Sequence, residues 1–123
     1  MAFELISPHC TTFIDHHEEL LFEIPRAAGV ATPALDRLWE QFYDGPRHSP
    51  EQAAALAADL RGLLTALEQE PELVSTTWTS MPPAYRTHFR MPDIDSLKAK
   101  LVALIAVCDD GAPSSEGLAS LSD

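Results

Sequence analysis

Apolar residues recur along most of this chain at the spacing of amphipathic helices. Between Ser49 and Glu70, Ala53, Leu56, Ala57, Leu60, Leu63, Leu64 and Leu67 follow one another at steps of three and one, which stacks them in one stripe of an α-helix. Its start is well marked. Ser49 can accept from a free amide of the first turn, Pro50 has the φ of a first helical residue, and Gln52 can reach back to close a capping box. Pro71 stops the helix, and the small Ala53 and Ala57 let a neighbour come close.

Thr32-Pro33 repeats the cap-plus-proline start, and Leu35, Leu38, Trp39 and Phe42 then share a face until Asp44-Gly45-Pro46, which predicts a helix over 33–44. The short connection to Ser49 predicts that it packs against the central helix as an antiparallel hairpin. Ile94, Leu97, Leu101, Leu104, Ile105 and Cys108 predict a last helix over 94–109. The first quarter reads two ways. Phe13, His17, Leu20, Leu21 and Ile24 share a helical face behind a Thr12 cap, predicting a helix over 12–24, yet Leu20 to Ile24 also suits a short strand paired with Phe3 to Ile6. The expectation is an all-α, compact bundle of about four helices over residues 1–111, with an extended N-terminal arm and a flexible acidic tail over 112–123. The fallback is α+β with a small N-terminal strand pair. Phe13, Leu38, Trp39, Leu60, Leu64, Leu101, Ile105 and Cys108 are among the expected core residues.

Composition narrows the partners. Nineteen acids against eight Lys and Arg give a net charge of −11, which disfavours nucleic acid and anionic membrane as partners and makes a basic protein surface the natural complement. Acidity serves solubility too, so charge alone assigns nothing. The chain of 123 residues suits one domain with a core that needs no metal or disulfide staple. No apolar run is long enough to span a bilayer, and Met1 to Glu4 lacks a basic leader, so the expected compartment is the cytoplasm. Cys108, on an apolar stripe, reads as a buried free thiol, although pairing with Cys10 stays open.

Two features invite a functional reading. Leu73 to Pro92 contains no Asp or Glu and carries Trp78, Met81, Tyr85, Arg86, Phe89 and Arg90, residue types that proteins use to bury one another. The plainer alternative is a folded connection in which Tyr85 and Phe89, four apart, plug the bundle end. The predicted helices also end on acids: Asp44, then Glu68 and Glu70 followed by Glu72, then Asp109 and Asp110. Acids there oppose the helix dipole, and if the helices ending at Asp44 and Asp110 run parallel, their ends form an acidic cluster that suits a partner's Lys and Arg. Random placement among so many acids is the competing explanation.

His9, Cys10, His16 and His17 are metal-ligand types in no metal-ligand spacing, and neither a metal nor a cofactor is expected. There is no nucleophile elbow, phosphate-binding loop or dinucleotide fingerprint, so the chain is not expected to be an enzyme. The leading expectation is a non-catalytic acidic protein-binding module, an immunity-type inhibitor of a basic toxin or effector. The alternative is a homodimeric secretion chaperone or structural adaptor, and a small helical enzyme or metal binder comes third.

Overall fold

The computed structural model describes residues 3–41, 44 and 47–122. In chain order these form β1 (Phe3–Ile6), β2 (Thr11–Ile14), a 3₁₀ helix (His16–Phe22), α1 (Ile24–Ala28), α2 (Pro33–Gln41), β3 (Arg47–His48), α3 (Pro50–Gln69), α4 (Leu73–Ser80), α5 (Pro83–His88), α6 (Ile94–Gly111) and β4 (Leu118–Ser122). The strands make one antiparallel sheet in the order β2-β1-β4-β3. The fold is therefore mixed α+β, and the all-α expectation is overturned.

The error has a local cause. Thr11, Thr12, Phe13 and Ile14 are β-branched or aromatic, and they pair with β1 in register from Phe3↔Ile14 to Ile6↔Thr11. The helical segment starts at Asp15 instead of Thr12, because the Asp15 backbone N–H donates to Glu18 Oε1 at 2.9 Å in a capping box. The fallback came nearer to the fold but chose the wrong partner for β1, since Leu20 and Leu21 lie in the 3₁₀ helix and are buried. Phe13, expected in the core, is 50% exposed on the sheet's outer face.

The stretch expected to be a flexible tail holds β4, which lies between β1 and β3. Leu118 and Ser120 turn inward, while Leu121 faces out. Gly117 makes the entry possible: its φ is +64°, and a Cβ there would collide with the carbonyl oxygen of His48.

The core lies between the sheet and the helices. α3 buries Ala53, Leu56, Ala57, Leu60, Leu63 and Leu67, its capping box present as the sequence predicts, with Gln52 N–H donating to Ser49 Oγ at 3.1 Å. α6 packs against α3 through Leu97, Leu101, Leu104, Val107 and Cys108. The two run antiparallel, for the end of α6 lies beside Arg61 and the following Gly117 meets His48 at the start of α3. Leu64, Trp39 and Ile105 pack at the core's margin, and Phe42 lies outside the described residues. α2 and α3 also pack together, where Asp59 on α3 caps α2 by accepting from the backbone N–H groups of Ala34 and Leu35 at 2.8 and 3.1 Å. Cys10 and Cys108 are free thiols, and burial, followed by the Asp109 charge, pushes the Cys108 thiol up to about 12.

His48 ties β4 to this helical layer. It is 3% exposed, with Nε2 2.9 Å from Ser120 Oγ and Nδ1 3.4 Å from the Arg37 guanidinium. Since a guanidinium only donates, Nδ1 accepts, and a neutral ring donates through Nε2 to Ser120. Burial, and then the Arg37 charge, lower its pKa from 6.5. As pH falls, the unfolded chain takes up this proton before the folded one, so the contribution to stability is whole above 6.5 and declines below it. Urea midpoints at about pH 7.5 and about pH 5.5 should therefore fall on acidification, and His48→Gln should show a smaller fall; an unchanged fall in the variant would refute the assignment.

Candidate functional site

The acid-free segment folds onto the rest of the chain. Leu73, Val74 and Thr77 of α4 are buried, and Trp78 and Met81 pack partly buried against the core. Pro83 starts α5, whose Tyr85 packs tilted against Phe89, four residues on, with ring centroids 4.6 Å apart. Trp78 meets the Tyr85 ring edge-on at 5.9 Å, and Phe89 stacks against His16 at 5.8 Å. The Tyr85 hydroxyl donates to the His16 carbonyl at 3.1 Å, and Arg86 Nε donates to the Met81 carbonyl at 3.1 Å. Burial, reinforced by the Glu19 and Glu23 charges, pushes the Tyr85 phenol up. The ladder thus joins α4 and α5 to the 3₁₀ helix, and Trp78, Tyr85 and Phe89 each keep part of their surface open to solvent.

The acids separate into two groups. Asp109 pairs with Arg61. Asp110 accepts from Ser7 Oγ at 2.7 Å and from the His9 backbone N–H at 2.8 Å, with His9 Nδ1 at 3.0 Å. These bonds, that of Ser7 foremost, hold the Asp110 carboxyl below its ordinary range and fasten the β1–β2 turn to the end of α6. Although Ser7, His9 and Asp110 are the residue types of a hydrolytic triad, the serine is bonded to the carboxylate and not to the imidazole, so the Ser-His-Asp order of a triad is not formed.

Glu68, Glu70 and Glu72 are exposed at the end of α3 and make no ion pair among the described residues. The antiparallel packing brings the start of α6 to this end. There Asp93 caps α6, accepting from the Ser96 backbone N–H at 3.2 Å, and Asp95 lies exposed in the first turn. Asp44 is exposed after α2. A groove of about 360 Å³ opens between α4 and the start of α6, lined by Pro71, Glu72, Val74, Ser75, Met91, Pro92, Asp93 and Ile94. Sequence reasoning missed Asp93, Asp95 and Met91 as its companions. The available signal was the acidic first turn of α6, which an antiparallel pairing with α3 would have carried to Glu72.

Across the Met91–Asp93 strap, Arg90 lines a second cleft of about 270 Å³ with His17 and Glu18. Donor atoms of Asp15, His17 and Glu18 lie within 4.8 Å of one another. They suit a cation poorly, because Glu18 Oε1 accepts from the Asp15 backbone N–H at 2.9 Å and lies 3.6 Å from Lys100 Nζ, a charge that would repel a bound metal ion. Among the described residues no helix is long and apolar enough to cross a membrane. No family model matches the chain, nor does any curated protein or solved structure.

If the aromatic ladder braces the fold, Phe89→Ala should cost about 1–2 kcal/mol in chemical denaturation, a share of the cost of truncating a fully buried ring. A variant as stable as the parent would show that the ladder carries no load.

Proposed function

We propose that this chain is a non-catalytic acidic protein-binding module that engages a basic surface of a partner protein, in its most concrete form an immunity-type inhibitor of a toxin or effector. The observation that supports it best is the exposure of Glu68, Glu70 and Glu72 where α3 gives way to α4, without an ion pair among the described residues. The peptide dipoles of α3 already make its end negative, so Glu68 and Glu70 each cost a few tenths to about 1 kcal/mol there, whereas Glu72 stands at the N-terminus of α4. Lys or Arg from a partner would reverse the penalty and steer association through the long-range field. Asp93 and Asp95 enlarge the same acidic end, whereas Asp109 and Asp110 are engaged within the chain. On this reading the module acts in the cytoplasm, and neither nucleic acid nor membrane is its direct partner.

A homodimeric chaperone or adaptor is the second reading, favoured by Phe13 and Leu121, which are 50% and 55% exposed on the outer face of the sheet. Light scattering separates the two, since a stable dimer sealed through that face supports the adaptor.

Capture from native lysate should recover a protein of high pI, whose retention falls steeply with added salt and whose toxicity on expression is relieved by this chain. The triple variant Glu68→Lys, Glu70→Lys, Glu72→Lys should lose the capture, while Asp109→Lys should retain most of it. A partner of neutral or acidic pI, held without regard to salt, would refute the proposal.

A further inference from the structure

We propose that the groove between α4 and the start of α6 seats one apolar side chain of a basic segment, a Leu- or Met-sized residue with Lys or Arg on both sides. The inference rests on the basic-partner reading and gives it a location. Val74 and Pro92 are buried in the groove's floor, Ile94 is half-buried, and Met91 stands 48% exposed at its wall. A volume of about 360 Å³ lies at the low end for ligand pockets and suits one or two side chains better than a large cofactor.

The occupant's charge follows from the rim. Glu72 and Asp93 line the groove from opposite sides, and Glu70 and Asp95 continue the acids beyond them. Neither Arg90 nor Lys98 is among the lining residues; Arg90 lines the neighbouring cleft with His17. An acidic segment would meet like charge on both sides. A basic segment without an apolar centre would leave Met91 and Ile94 in water. Only the combination satisfies floor and rim together, an apolar anchor ringed by polar contacts.

The test is an NMR titration at low salt with two capped pentapeptides, Lys-Arg-Leu-Lys-Arg and the same peptide with Gly at its centre. The Leu peptide should shift the methyl signals of Val74, Met91 and Ile94 saturably and bind about fivefold or more tightly than the Gly peptide. Met91→Lys, at an exposed position, and Glu72→Lys should each weaken it by about fivefold. Equal binding of the two peptides, or shifts that map elsewhere, would overturn the groove and leave the basic-partner reading standing. No saturable shift with either peptide, even at millimolar concentration, would overturn both.

Discussion

The pairing of β4 between β1 and β3 is the constraint on which the rest of this structure depends. It joins the N-terminal hairpin to the α2–α3 unit, meeting β1 across more than a hundred positions, with Leu5 opposite Ser120, and β3 through Arg47 opposite Ala119. Without it β3, two residues long, would have no partner and β1 would lie open along one side. Two local features hold the strand in place. Gly117 lets the chain turn tightly against the His48 carbonyl, and Ser120 receives the buried imidazole. The edge carbonyl of Phe13 on β2 is covered in turn by Lys100 Nζ at 2.6 Å, which blunts that edge against further strands.

Because β4 follows α6 directly, α6 must return to the sheet, antiparallel to α3, and this sorts the charges. The acids that arrive beside the sheet meet Arg61, Ser7 and His9. Those at the far end meet one another across an apolar groove. Structure and charge are thus divided between the two ends of one helical pair: the acids are engaged where the sheet closes, and acids without an ion pair among the described residues are left where the chain enters α4.

The helices were legible where pattern and punctuation agreed. α3 follows from its stripe and from Ser49-Pro50-Glu51-Gln52, and the stripe of α6 marks its face, although the helix runs on to Gly111. The sheet was not, since its strands are two to five residues long and too short for alternation to stand out. Phe13 fell on a helical stripe by spacing alone, and Leu118 to Ser122 was masked by small polar residues that resemble a disordered tail. The candidate site divides likewise. Glu68 and Glu70 stood out because they break the dipole rule locally, whereas the partners of Asp109 and Asp110 lie far off in sequence, beyond the reach of local rules.

The most direct test of this account is residue-resolved native-state hydrogen exchange of β4. A central strand requires the β4 amides that bond to β1 to be protected as strongly as those of α6 and to exchange only when the whole domain opens. Exchange at the rate of an unstructured chain from Leu118 to Leu121, with α3 and α6 still protected, would contradict it, for the sheet would then not be closed by the C-terminal strand.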